Sequence, residues 1–194
     1  MEMKKILIGT HNKGKFKEIS FLISKKIRKI NPTLLKIPSP KETGKTFTSN
    51  SKLKANFFSQ YIDYPVISDD SGLCIRALNQ QPGIYSARLA KRHGSFFKAM
   101  KYILNKMKNK KNRSATFVCS LSFKLPKKKP INAIGKIKGS ISYNILGKNG
   151  FGYDPIFIPD NYSKTFGEML KSKKIKIDHR FIAFKNLKKK VKTL

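Results

Sequence analysis

Residues 115–123 alternate strictly. Ala115, Phe117, Cys119, Leu121 and Phe123 fall on one side, and Thr116, Val118, Ser120 and Ser122 on the other. A period of two marks a β-strand, because successive side chains point to opposite faces. Residues 126–130 turn the chain, and Ile131-Asn132-Ala133-Ile134-Gly135 returns as a partner strand. Elsewhere the period lengthens. A first strand over residues 4–9 is followed by Phe16, Ile19, Leu22-Ile23, Ile27 and Ile30 at helical spacing, ended by Asn31-Pro32. A second helix runs from the N-cap candidates at 46–50 to Tyr61, with Leu53, Phe57, Phe58 and Tyr61 inward, and a third from Ser95 to about Met107, with Phe96-Phe97, Met100, Ile103-Leu104 and Met107 on one face. The runs 34–37, 66–68, 73–78 and 156–158 read as short strands. Residues 171–190 read as a basic, mostly helical tail that docks through Phe184, Leu187 and Val191. Strands mixed with long helices predict an α/β fold with a mixed sheet.

At 194 residues, with no internal repeat and no dividing linker, residues 1–194 form one domain or one two-lobed unit. No window reaches the roughly 18 apolar residues of a membrane span. The N-terminal run Ile6-Leu7-Ile8 is too short for a secretory signal. Cys74 and Cys119 are the only cysteines, each in a strand-like run, as expected of buried thiols in a reduced, cytoplasmic protein. Lys and Arg number 43 against 10 Asp and Glu, a net charge of +33 that attracts polyanions. The cations are spread along nearly every segment, with runs only at 108–113, 127–129, 171–176 and 188–192. A dedicated nucleic-acid surface concentrates them in a stripe, so the spread favours lysine replacing neutral surface residues throughout.

In so basic a chain, the stretch Ser68-Asp69-Asp70-Ser71-Gly72-Leu73 is a rare acidic spot. Adjacent carboxylates repel unless a cation or a shared proton relieves them. Followed by a hydroxyl and a glycine, they suit a divalent metal and phosphate oxygens; a turn in which Asp caps its own backbone is the alternative. The loop Thr10-His11-Asn12-Lys13-Gly14-Lys15 lies between a strand and a helix, where backbone N–H groups and lysines can meet a phosphate. A helix carries Asn50 and Lys54, and the glycine-rich loop Gly150-Phe151-Gly152-Tyr153-Asp154 offers aromatic faces on which a base can stack. Lys174 and His179-Arg180 add donors for base oxygens. Together these pieces suit a nucleotide site. Taken singly, Phe151 and Tyr153 read better as core aromatics, and His179 as a capping or satisfied histidine.

In this order the motifs resemble the inosine/xanthosine triphosphate pyrophosphatases, enzymes of noncanonical purine nucleotides, over nearly the whole chain. The loop 10–15 is similar to T-G-N-x-x-K, residues 46–55 to T-F-x-E-N-A-x-x-K-A, and residues 68–73 with 82–88 to A-D-D-S-G-L followed by P-G-V-Y-S-A-R. Residues 150–157 read G-F-G-Y-D-P-I-F in full, residues 165–169 are close to T-F-A-E-M, and Lys174 with Asp178-His179-Arg180 is similar to K-x-x-x-S-H-R. The resemblance implies a central mixed twisted sheet flanked by helices, two lobes with an active-site cleft between them, a Mg²⁺ requirement and a homodimer. It implies hydrolysis of ITP, dITP and XTP to the monophosphate and pyrophosphate. By position, Asp70 is the implied general base and metal ligand, supported by Asp69. Thr10, His11, Asn12, Lys13, Gly14, Lys15, Lys54 and Ser71 would serve the phosphates. Phe151 would stack on the base in a pocket shaped by Gly152, Tyr153 and Asp154, and Lys174, His179 and Arg180 would contact its 6-oxo group.

Three positions depart from the pattern. Ser49 stands where the family has a Glu expected to help bind the metal, with Glu42 or a water as its substitute. His11 replaces a Gly, which either strains that turn or adds a phosphate contact. Asp178 replaces a Ser beside the base-binding pair and lowers the local positive charge. The competing expectations are a basic nucleic-acid-binding protein on a catalytically weakened scaffold, which has no chemical need for Asp69-Asp70, and a pyrophosphatase acting on modified pyrimidines. The enzyme reading needs no nucleic acid and no membrane.

Overall fold

The structure, a computed structural model, describes residues 3–192 and 194. The strands are β1 (Lys5–Ile8), β2 (Arg28–Ile30), β3 (Val66–Ile75), β4 (Gln81–Pro82), β5 (Ser114–Lys124), β6 (Ile131–Ile141) and β7 (Phe157–Pro159). They form one mixed sheet in the order β2-β1-β3-β5-β6-β7, with β4 on β3. β1 runs parallel to β2 and β3, while β4 is antiparallel to β3 and β7 to β6. The helices are α1 (Lys13–Leu22), α2 (Phe47–Phe58), α3 (Ser86–Arg92), α4 (Phe96–Lys106), α5 (Lys171–Lys174) and α6 (His179–Lys188). The fold is therefore mixed α/β, as expected. None of these helices is long and apolar enough to cross a membrane.

The chain packs as two compact units. One holds the described residues up to Asp70, with Cys119–Gly135 and Arg180–Leu194; the other holds Ser71–Val118 and Lys136–His179. In the first, Ile6, Ile8 and Ile67 pack with Leu121 and Phe123 and with Ile19, Ala183 and Leu187. Leu7 and Val66 close on Phe58 of α2 in a separate cluster. In the second, Leu73, Phe117 and Phe157 pack with Met100 and Ile103 of α4 and with Tyr153 and Phe166.

Side-chain capping sets the helix starts. The Asn12 Oδ1 accepts from the Lys15 N–H at 3.0 Å, and the Ser95 hydroxyl accepts from Lys98 at 3.1 Å. α2 opens with a reciprocal box: Thr46 Oγ1 accepts from the Ser49 N–H, and Ser49 Oγ accepts from the Thr46 N–H, both at 3.0 Å.

The local reading needs five corrections. The first helix stops at Leu22, and residues 28–30 are strand β2, so Ile30 pairs with Leu7 rather than lying on a helix face. Residues 32–35 form a 3-10 turn, not a strand, because Asn31 caps it through the Thr33 N–H and Pro32 occupies its first position. Tyr61 lies beyond α2 and is half exposed, and Phe97 of α4 also faces solvent. Residues 86–92 form α3, a helix that the sequence pattern does not mark. Residues 66–68 and 73–78 are not two strands about a turn, since β3 runs unbroken through Asp69-Asp70 to Ile75 and residues 76–78 form a 3-10 turn. Gly72 makes this possible: a Cβ there would lie 2.1 Å from the Gly83 carbonyl oxygen and 2.5 Å from the Ser86 hydroxyl.

A buried polar layer fixes α2 on the sheet. The Ser51 hydroxyl lies 2.9 Å from that of Ser120 and 2.8 Å from that of Ser122. The Asn132 amide nitrogen reaches Ser120, Ser122 and the Leu121 carbonyl at 2.8, 3.0 and 2.9 Å. Removing Asn132 leaves buried hydroxyls short of a partner. Asn132→Ala is expected to cost about 1–3 kcal/mol in urea denaturation; no loss would mean that the layer contributes nothing to the docking of α2.

Candidate active site

In the first unit, the candidate carboxylates are carried by β3. Successive side chains on a strand point to opposite faces, so Asp69 and Asp70 project apart. Both are buried, which makes the capped-turn alternative untenable. Asp69 meets cations: Lys15 Nζ lies 3.0 Å from its Oδ2, and Arg180 Nε 3.7 Å. Burial alone would push its carboxyl up, but Lys15, Arg180 and Lys54 together hold it down at about 2. Arg180 is itself buried and ion-paired with Glu18 of α1.

Asp70 is held differently. Its Oδ2 accepts from the Asn50 amide at 3.0 Å, and its Oδ1 lies 3.9 Å from Lys54 Nζ. Burial raises its carboxyl, Glu42 adds to the rise, and Lys54, Lys15 and the Asn50 bond do not cancel it. Lys54 is buried and ion-paired with Glu42; although burial opposes its charge, Asp69, Asp70 and Glu42 raise its ammonium above the usual lysine value. Asn50 also accepts from the Gly44 N–H at 2.8 Å, which ties the loop bearing Glu42 to the helix that positions Lys54.

Asp69 gives a prediction with a definite sign. Its folded value lies below the ordinary unfolded value near 4, so its contribution is complete above pH 4 and is lost as pH falls towards 2. This shift corresponds to roughly 2 kcal/mol. Denaturation between pH 5 and pH 2 is expected to show a steep loss that is shallower in Asp69→Asn. Parallel slopes in the two proteins would contradict the pairing.

Of the loop 10–15, Thr10 is buried and its hydroxyl accepts from the Asn12 N–H at 3.2 Å. Lys13 and Gly14 open α1, where early N–H groups lack helical acceptors. His11 is exposed, its Nε2 2.9 Å from the Ile37 carbonyl oxygen. It is not among the left-handed residues, so the replaced glycine causes no strain there. Ser49 also finds a local use, because its hydroxyl completes the α2 cap and donates to the Thr46 carbonyl at 2.8 Å. The acidic group placed with Lys54 and Asp70 is Glu42. Sequence reasoning gave no role to Glu18 or to the Asn50 contact, although an acid in a helix of so basic a chain was a visible signal for the first.

In the second unit, the candidate base-binding residues gather around the loop 150–154. Gly150 and Gly152 take φ values of 74° and 67°, in the left-handed region. The Phe151 N–H donates to Asp154 Oδ2 at 2.8 Å. Lys174 is buried between two carboxylates, 3.0 Å from Asp154 and 3.5 Å from Asp178, and its Nζ lies 5.2 Å from the centre of the Phe151 ring. His179 is stacked on Phe117 at 4.7 Å. Tyr153 is a core residue: its hydroxyl donates to the Ser86 carbonyl at 2.9 Å, its ring meets Phe96 edge-on, and burial raises its phenol. Phe151 is only partly buried. Ser71 follows Asp70 on β3 and is partly exposed. Among the described residues, no group of three or more His, Cys, Asp or Glu stands ready for a metal.

The sequence profile of the Ham1 family matches residues 6–190. The chain belongs to the Ham1 family. It is 40% identical to the dITP/XTP pyrophosphatase of Dictyoglomus thermophilum, over 97% of this chain and 94% of that one. It is 41% identical to the dITP/XTP pyrophosphatase of Oceanobacillus iheyensis, over 99% and 100%. Among solved Ham1 structures, the Staphylococcus aureus protein superposes with a TM-score of 0.86 at 36% identity, over 97% of this chain and 98% of that one. The Coxiella burnetii protein superposes with 0.88 at 31%, over 99% and 100%.

Proposed function

We propose that this protein is a nucleoside triphosphate pyrophosphatase that hydrolyses dITP, ITP and XTP to the monophosphate and pyrophosphate. The names of its Ham1 relatives support the substrate class. The observation that carries the chemistry is the contrast between neighbours on β3: Asp69 held ionised by cations, Asp70 raised by burial. Two carboxyls driven apart in this way are suited to different tasks.

Asp70 is the general base. Asn50 fixes its Oδ2, and a carboxylate with a raised pKa is a stronger base near neutral pH. It takes a proton from the attacking water as that oxygen bonds to the α-phosphorus and the bond to the leaving pyrophosphate breaks. Lys15, Lys54 and the first N–H groups of α1 hold the triphosphate; Thr10, His11, Asn12, Lys13, Gly14 and Ser71 shape that binding. Asp69 holds Lys15 and Arg180 in place. Phe151 stacks on the base, Gly152, Tyr153 and Asp154 set the loop, and Lys174, His179 and Arg180 serve the 6-oxo group. Adenine offers hydrogens instead and leaves buried donors unpaired.

The donor set fits Mg²⁺, which is usually held by one or two carboxylates plus substrate phosphates. Asp70 and Glu42, with Lys54 between them, would hold it; when bound, it neutralises phosphate charge and acidifies water. A homodimer working in a reducing cytoplasm completes the proposal, the latter supported by two free thiols. Hydrolysis of dITP in ¹⁸O-labelled water tests the bond that breaks. The label is expected in the monophosphate. Label in pyrophosphate, or stepwise release of phosphate, would overturn the reading.

A further inference from the structure

The chain carries no Asp or Glu between Asp70 and Asp154. Inside that span, and wholly within the second unit, α3, α4 and the segment 77–85 line a groove of about 730 Å³. Arg88 and Arg92 stand one turn apart on α3, and Lys106 is the last residue of α4. Lys110 closes the turn that follows, its N–H donating to the Met107 carbonyl at 3.1 Å. All four cations line the groove. Among the described residues, Arg92, Lys106 and Lys110 are exposed and form no ion pair. Cations that look scattered along the chain are gathered here by the fold.

Two aromatic rings lie among these charges. Tyr85 is 55% exposed and Tyr102 39%. The Arg88 guanidinium lies 4.3 Å from the centre of the Tyr85 ring. The Tyr102 ring has Lys106 Nζ at 5.7 Å and the His93 ring at 4.5 Å. These contacts orient the rings and leave much of each in solvent. Cations beside exposed rings are what single-stranded nucleic acids use: the cations follow the phosphates, and every base presents a flat face to an aromatic ring. An acidic peptide would satisfy the charges and leave the rings uncovered. A second copy of this chain, docked isologously through the same groove, would set cations against cations.

We propose that this groove is a second site, which binds single-stranded nucleic acid through its phosphates and its bases. Arg92, Lys106 and Lys110 meet phosphates, Tyr85 and Tyr102 stack on bases, and Arg88 backs the Tyr85 ring. Paired bases in a duplex turn only their edges outward, so the tyrosines favour single strands. The groove contains none of the residues assigned to nucleotide hydrolysis, so this site stands or falls apart from the pyrophosphatase reading.

Fluorescence anisotropy of a labelled oligothymidylate measures the binding as KCl is raised from about 50 to 200 mM. The wild type is compared with Arg92→Gln/Lys106→Gln/Lys110→Gln and with a control, Lys127→Gln/Lys128→Gln/Lys129→Gln, which removes the same charge from an exposed turn of the first unit. Losing three phosphate contacts is expected to reduce the slope of log K against log salt by about 2, at roughly 0.7 per contact, while the control keeps the wild-type slope. Tyr85→Leu and Tyr102→Leu are each expected to weaken oligothymidylate binding about tenfold, the scale of one lost stack. Neither should alter binding of inorganic polyphosphate, which has no bases. Equal losses in the two triple variants would overturn the inference, because binding would then belong to the net charge of +33 and not to the groove. Tyrosine variants that bind as the wild type does, or tighter binding of duplex than of single strand, would also overturn it. A dimer that dissociates in the groove variant during sedimentation, with oligothymidylate binding intact, would give the groove to a second copy. If a tyrosine variant fails to fold, the comparison of the two triple variants still decides.

Discussion

Asp70→Asn is expected to lower kcat by about 10²–10⁴-fold, the usual contribution of a positioned general base, and to leave the folded protein at least as stable as the wild type at pH 7. The two halves of this expectation have one cause. The substitution keeps shape, and the introduced amide still offers an oxygen to the Asn50 donor now 3.0 Å from Asp70 Oδ2. What it removes is an ionised carboxylate that burial disfavours. A folded value above the unfolded one means that the unfolded chain gives up its proton first, so stability falls as pH rises through that window. A neutral amide escapes the cost. Steady-state kinetics alongside thermal denaturation checks both halves. An active Asp70→Asn protein would remove Asp70 as the base; an inactive but strongly destabilised one would make its role structural.

Arg180→Leu is expected to be the most destabilising single change, costing about 3–5 kcal/mol because it strands buried charges. The guanidinium is buried, ion-paired with Glu18 and 3.7 Å from Asp69. Both carboxylates belong to the same packed unit and both are buried. Glu18→Gln with Arg180→Leu leaves one charge fewer to strand and should recover part of the loss. Urea denaturation of the single and double variants measures the coupling. A cost under about 1 kcal/mol for Arg180→Leu would place this pair with ordinary surface ion pairs.

What the sequence disclosed follows from the range of its signals. Period-two alternation located β5, and the Thr46 and Ser95 caps located α2 and α4, because these depend on near neighbours. β2 was hidden because Ile27 and Ile30 continue a helical spacing by chance, while the pairing of Ile30 with Leu7 is a tertiary fact. β3 was cut in two because aspartates and a glycine read locally as a turn; only the Gly83 carbonyl packed against Gly72 explains the straight course. The chemical residues were legible as types and motifs. Their assignments were not. The His179-Arg180 pair reads as one unit in sequence, yet His179 stacks on Phe117 while Arg180 pairs with Glu18 and Asp69. Ser49 looked like a lost carboxylate until its hydroxyl was seen to complete the helix cap, with Glu42 beside Lys54.

The most direct test of the account is pyrophosphate release from dITP, ITP, XTP, ATP and GTP, each with and without Mg²⁺. The account predicts metal-dependent release from dITP and ITP at least about 10²-fold above ATP in kcat/KM, the discrimination available when a wrong base leaves buried donors unpaired. Equal rates on ATP, or none on any of the five at saturating Mg²⁺, would contradict it; tight, salt-sensitive nucleic-acid binding without turnover would then make this a binding protein on an enzyme's fold.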